Sequence, residues 1–207
     1  MNALLLFDFD GVLADSLDFY ADAVTRALAR IGTPIVRTPE EYVTLFEGNF
    51  YATMAARGVD LEAFGRAAKE ILGKADYGVL QPFPDLLPVL KTLHREHTLA
   101  IVSSNGFRTI SAMIERFGFA PFFDDILGSD FLFSKTEKID HARGKYGTPP
   151  ERTFYIGDTV GDILEAKEAG VKAVAVTWGW HGREQLLAAA PDAVADRPAD
   201  LLTLVAG

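Results

Sequence analysis

The chain has 207 residues, with 29 acidic against 20 basic side chains and a formal net charge of −9. Its length fits one large domain or one domain carrying an insertion, and 49% hydrophobic with 24% charged residues excludes a disordered chain. The acidic excess argues against nucleic acid or an anionic membrane as partner. The absence of cysteine removes disulfides, thiolate zinc sites, iron–sulfur clusters and cysteine nucleophiles together.

The apolar run at the N-terminus stops at Asp8 with no basic stretch before it, unlike a signal peptide. No apolar run nears the roughly 18 residues of a membrane span. A cytoplasmic protein is expected. Ala3 to Phe9 is long enough for a buried strand and ends in Asp8-Phe9-Asp10-Gly11. From Leu17 the period becomes helical, through Ala21, Val24, Leu28 and Ile31, with Gly32 as a stop. Thr38-Pro39-Glu40-Glu41 has the composition of a capping box. Leu61, Phe64, Ala68, Ile71 and Leu72 form a further apolar stripe, so residues 15 to about 80 read as helical throughout.

Gln81-Pro82-Phe83-Pro84-Asp85 breaks this pattern with a stiff, extended connector. Asp85 is placed to cap a helix bearing Leu86, Val89, Leu90 and Leu93. Strands and helices then alternate. The spacing predicts strands at 98–102, 125–128, 153–156 and 172–177, and helices around 110–117, 136–146 and 162–169. Alternation of this kind implies an α/β fold: a doubly wound, parallel-sheet, Rossmann-like core. The helical stretch interrupts it after the first strand, which predicts a core of residues 1–14 and 85–207 with an inserted all-helical cap of residues 15–84.

Sites in such sheets lie beyond the carboxyl ends of the strands. Asp8 and Asp10 end the first strand. A regular strand would splay them to opposite faces, and Gly11 permits a turn that brings Asp10 back. A solvated strand end is the plain alternative. Gly157-Asp158-Thr159-Val160-Gly161-Asp162 ends a second apolar strand, with Asp158 and Asp162 one helical turn apart. Asp158 as a simple N-cap is the alternative there. If the two strands are neighbours, the carboxylates converge and call for a cation with a preference for oxygen ligands, such as Mg²⁺. Ser103-Ser104-Asn105-Gly106, at another strand end, offers hydroxyls and N–H groups to an anion, or is only a turn. Lys135 follows Phe131-Leu132-Phe133-Ser134, and Lys138 lies three residues on.

In this order the segments resemble the haloacid dehalogenase superfamily, in its phosphatase branch with a helical cap after the first strand, and phosphoglycolate-phosphatase-like members above all. Asp8-x-Asp10-Gly11 matches the first motif, Ser103 the second, Lys135 the third and Gly157-Asp158-x-x-x-Asp162 the fourth. Ser104-Asn105 is an alternative for the second motif and Lys138 for the third. Lys135 is preferred because it directly follows the apolar run, and Lys138 is expected at the surface.

The resemblance implies a Mg²⁺-dependent phosphatase acting on a small phosphorylated metabolite, with phosphoglycolate as one candidate. Asp8 would be the nucleophile that forms an aspartyl-phosphate, and Asp10 the general acid and base. Ser103 and Lys135 would stabilise the phosphoryl group, with Gly11, Ser104 and Asn105 at the phosphate. Asp8, Asp10 (through its carbonyl) and Asp158 would hold the metal, and Asp162 would ligate it or orient its water. A sugar phosphomutase of the same superfamily and a non-catalytic phosphate-binding module are the alternatives. Such mutases usually carry a histidine early in the cap, where this chain has Tyr20. Asp10 argues against a dehalogenase, and the lack of lysine between residues 15 and 68 argues against a phosphonate hydrolase. Histidines 94 and 97 read as a solvated helix end, His181 as a structural loop residue, and Trp178 and Trp180 as packing residues.

Overall fold

Leu4–Phe7 (β1) is apolar at every position and buried on both faces, as the central strand of a parallel sheet must be. The structure is a computed structural model and describes residues 2–132 and 134–205. Phe133, in the run leading to Lys135, lies outside the described residues, as do Met1, Ala206 and Gly207.

The other strands are β2 (Ala14–Asp15), β3 (Gln81–Pro82), β4 (Thr98–Val102), β5 (Asp125–Leu127), β6 (Thr153–Gly157), β7 (Lys172–Val176) and β8 (Ala193–Ala195). Six of them form one parallel sheet in the order β5-β4-β1-β6-β7-β8. Numbered within the sheet alone, that is the doubly wound order, whose direction reverses between β1 and β6. Phe7 pairs with Ile101 of β4 on one side and Ile156 of β6 on the other. The residues just after β1, β4 and β6 are therefore delivered to one edge. The expectation of an α/β, Rossmann-like core matches this sheet. β8 was not anticipated.

The helices are α1 (Leu17–Arg30), α2 (Pro39–Val43), α3 (Phe50–Ala56), α4 (Leu61–Leu72), α5 (Leu86–Leu93), α6 (Phe107–Arg116), α7 (Lys135–Tyr146), α8 (Val160–Glu168), α9 (Arg183–Ala188) and α10 (Leu201–Leu204). Two compact units result, one of Met1–Asp15 with Gln81–Gly207 and one of Ser16–Leu80.

In the first unit, Leu4, Leu6, Val102 and Tyr155 of the sheet pack with Ile139 of α7 and Ile163 and Ala166 of α8. The connector after residue 80 is partly ordered as β3, which pairs antiparallel with β2. Asp85 holds the N-cap position of α5 without a side-chain cap bond. Its φ of +65° is left-handed, whereas a capping side chain needs the extended conformation to reach the first N–H groups. His97 is half-buried rather than solvated, and its Nδ1 accepts the Ala3 N–H at 3.2 Å.

The second unit is helical. Tyr20, Ala21, Val24, Ala27 and Leu28 of α1 are buried, as are Phe64 and Ala67 of α4. Leu61, at the first position of α4, stays 37% exposed despite its place in the expected stripe. Thr38 accepts the Glu41 N–H, and Glu41 reaches back to the Arg37 N–H instead of closing the full box on Thr38. Among the described residues no helix is long and apolar enough to cross a membrane.

Candidate active site

Three carboxylates, from Asp8, Asp158 and Asp162, meet where β1 and β6 end, and each can offer an oxygen within 4.8 Å of the others. All three are buried. Asp8 continues the β1–β6 pairing, its N–H donating to the Ile156 carbonyl at 2.9 Å. Its Oδ1 accepts the Phe9 N–H at 2.7 Å and its Oδ2 accepts Lys135 Nζ at 2.7 Å. Lys135, the first residue of α7, also donates to Asp162 Oδ1 at 2.5 Å.

Asp162 is held by the start of α8. Thr159, not Asp158, is the N-cap, and it forms a capping box with Asp162. Asp162 Oδ2 accepts from the Asp158 and Thr159 N–H groups and from the Thr159 hydroxyl. Tyr155, fully buried, donates its hydroxyl to Asp162 Oδ1 at 3.3 Å.

Asp158 is placed differently. Its Oδ2 accepts the Trp180 N–H at 2.7 Å, while its Oδ1 is buried with no hydrogen-bond partner. Backbone crowds it from two sides. A Cβ at Gly11, whose φ is +74°, would lie 2.0 Å from Asp158 Oδ2, and one at Gly179 would lie 2.3 Å from Asp158 Cβ. Glycine is required at both points.

The electrostatics follow from burial. Burial pushes the Asp8 carboxyl up to about 6, opposed by Lys135 and reinforced by Asp162. Burial raises Asp158 well above the usual carboxylate range, and the charges of Asp162 and Asp8 add to it. Burial also acts on Asp162, but Lys135 and the Thr159 hydrogen bonds outweigh it and hold that carboxyl below its ordinary value. The same two carboxylates, Asp162 and Asp8, overcome burial at Lys135 and raise its ammonium well above the ordinary value. When all three carboxylates are ionised, as cation ligation requires, Lys135 leaves two negative charges uncompensated. An orphaned buried oxygen, an all-oxygen donor set and that excess charge fit a hard divalent cation.

Asp10 does not join this cluster. The turn at Gly11 brings its Oδ2 to Asn105 Nδ2, which donates at 2.5 Å from the loop after β4. In that loop Ser103 is fully buried and Ser104 is half-buried. Ser103 Oγ accepts the Asn105 N–H at 3.1 Å, and Ser103 makes no hydrogen bond to Asp8.

The chain matches the model of the haloacid dehalogenase-like hydrolases over residues 5–176. It belongs to that family. A phosphoglycolate phosphatase from Synechococcus elongatus is 30% identical over 205 residues, covering 97% of this chain and 96% of that protein. One from Vibrio parahaemolyticus is 29% identical, with coverage of 98% and 96%. Among solved structures, a haloacid dehalogenase-like hydrolase from Streptococcus pneumoniae superposes with a TM-score of 0.81 at 25% identity, covering 98% of each chain.

For a haloacid dehalogenase-like hydrolase, the residue whose position departs most from the sequence reading is Lys138. Expected at the surface, it is fully buried, and its Nζ donates to the Ser103 carbonyl at 2.7 Å. Helix geometry is the reason. Lys135 opens α7, and a residue three further on lies on the same face. The sequence reading also missed Thr159 and Tyr155. Thr159 was legible as a capping residue three before Asp162, and Tyr155 as the inward position between Phe154 and Ile156 of β6. His181 serves the loop, its Nδ1 accepting the Val160 N–H at 2.9 Å and its own N–H donating to the Asp158 carbonyl.

Proposed function

We propose that the chain is a Mg²⁺-dependent phosphatase that hydrolyses a small phosphate monoester of the phosphoglycolate type through an aspartyl-phosphate on Asp8. The observation that carries this reading is the buried cluster of Asp8, Asp158, Asp162 and Lys135 at the switch point of the sheet. The names of the phosphoglycolate phosphatase relatives support the substrate class.

The cation would be held by Asp8 and Asp158, whose Oδ1 has no protein partner, and by the Asp10 carbonyl. When bound it supplies positive charge that offsets the repulsion between an anionic nucleophile and a phosphate dianion. Asp162 accepts two donors at Oδ1 and three at Oδ2, against one at each oxygen of Asp8, which favours an orienting role for Asp162 over direct ligation.

The remaining steps fall to the protein's own groups. An Asp8 carboxylate oxygen attacks phosphorus, and the bond from phosphorus to the ester oxygen breaks. Asp10, whose Oδ2 accepts from Asn105 Nδ2, gives its proton to the departing alkoxide. Asp10 then takes a proton from water as that water attacks phosphorus, and the bond to Asp8 breaks. Lys135 neutralises charge beside Asp8 throughout. The Ser103 hydroxyl, whose oxygen accepts from Asn105, keeps its own proton to donate to a phosphoryl oxygen. Residues Ser16–Leu80 correspond to the inserted cap in this reading.

A panel of small phosphate monoesters, assayed with Mg²⁺ and after exhaustive chelation, tests the proposal. Hydrolysis that requires the metal is the expected outcome, with phosphoglycolate among the best substrates. Undiminished hydrolysis after chelation, or none across the panel, would overturn it.

A further inference from the structure

We propose that Lys138 is a positioning residue for proton transfer: it fixes the end of β4 and, through Ser103 and Asn105, the carboxyl of Asp10. The inference rests on the reading of Asp10 as general acid and base. Three hydrogen bonds make the connection. Lys138 Nζ donates to the Ser103 carbonyl at 2.7 Å, Ser103 Oγ accepts the Asn105 N–H at 3.1 Å, and Asn105 Nδ2 donates to Asp10 Oδ2 at 2.5 Å.

Packing alone does not account for this lysine. Lys138 and Ser103 are both fully buried. A lysine is almost never fully buried unless a carboxylate pairs with it, and the acceptor here is a neutral carbonyl. Burial, together with the nearby Lys135 charge, pushes its ammonium down to about 8, so the protein holds this charge against a penalty. A methionine of similar length would fill the space without that penalty. What methionine would lack is a charge-assisted bond to the carbonyl from which the Ser103–Asn105 turn departs. That turn ties the sheet edge to the Asp10 side chain through the Asn105 amide, and Asp10 stands apart from the metal-type cluster.

A positioning role on Asp10 has a signature that general loosening of the fold lacks. An alkyl phosphate needs a proton on its leaving group, whereas p-nitrophenyl phosphate releases a stable phenolate without one. The experiment is single-turnover leaving-group release from both esters by the full-length, Mg²⁺-loaded enzyme, comparing wild type, Lys138→Met, Asp10→Asn and the double variant. General acid catalysis typically contributes 10²–10⁴-fold, and a displaced acid should forfeit part of it. Lys138→Met should slow release from the alkyl ester by about 10-fold or more and from p-nitrophenyl phosphate by less than about threefold. The double variant should be no slower than Asp10→Asn on the alkyl ester. If the methionine variant does not fold, Lys138→Gln, which retains a neutral donor, should show the same split between the esters. Equal losses on both esters, or multiplicative losses in the double variant, would overturn the role of Lys138. Equal losses in Asp10→Asn itself would overturn the acid reading of Asp10, and the inference with it.

Discussion

Asp8→Asn removes one charge with almost no change of volume, and the structure gives it two opposite consequences. The amide is a poor nucleophile, so turnover should fall to background. Stability should move the other way. In the metal-free protein, burial pushes the Asp8 carboxyl from 3.8 up to about 6. A carboxyl raised in the folded state contributes stability below its unfolded value and loses that stability as pH rises through about 6. A shift of about two units corresponds to ~3 kcal/mol at neutral pH. Asparagine resembles the protonated form and does not suffer this loss. For a chain of this size, 1 kcal/mol moves Tm by roughly 2–4 °C. Metal-free Asp8→Asn should therefore melt about 6–12 °C above metal-free wild type near pH 7.5, with the gap shrinking toward pH 4. Calorimetry on chelator-treated protein measures this directly. Mg²⁺ should narrow or reverse the gap, because only wild type keeps the full ligand set. A metal-free variant melting at or below wild type near pH 7.5 would refute the electrostatic reasoning. Substantial turnover in a contaminant-free preparation would refute the nucleophile.

Lys135→Met should lower kcat/KM by about 30- to 1,000-fold, the equivalent of ~2–4 kcal/mol, because a buried charge in contact with Asp8 and Asp162 is lost. Steady-state kinetics on the best monoester from the panel checks this, and a loss under threefold would displace Lys135 from the site. Gly11→Ala should abolish Mg²⁺-induced stabilisation in a thermal melt. The added Cβ would fall 2.0 Å from Asp158 Oδ2 at a residue with φ of +74°, so one of the two must move. Wild-type behaviour of that variant would show that the loop accommodates the side chain without disturbing Asp158.

The fold was legible because its signals are local. β1, β4, β6 and β7 are largely apolar runs of four or five residues separated by helical stripes, and run length together with period separates the two. β8 escaped because three residues, Ala193 to Ala195, are too few to show a period, and it is their pairing with β7 that makes them a strand. Asp8, Asp158 and Asp162 were legible as carboxylates at strand ends. The partner of Asp10 was not, since Asn105 lies 95 residues away and the contact depends on how two loops meet. Lys138 was misplaced because lysine composition says surface, while its spacing from Lys135 on α7 says the same face. Here spacing outweighs residue type, since a helix sets direction more firmly than a flexible side chain does.

Mutual attraction does not assemble the carboxylates, which repel one another and are all removed from water. Backbone holds them. The β1–β6 pairing continues through the Asp8 N–H to Ile156, the α8 capping box fixes Asp162, and the Trp180 N–H with the glycines at 11 and 179 confines Asp158. Stability elsewhere in the sheet must therefore support a cluster that is unfavourable by itself, and any cation that binds it stabilises the folded state in proportion. At 100 times Kd that gain is about 2.7 kcal/mol, comparable with the ~3 kcal/mol assigned to the Asp8 carboxylate alone. The electrostatic cost of the empty cluster and the affinity of the filled one have the same source. Variants that relieve the first, such as Asp8→Asn, should weaken the second.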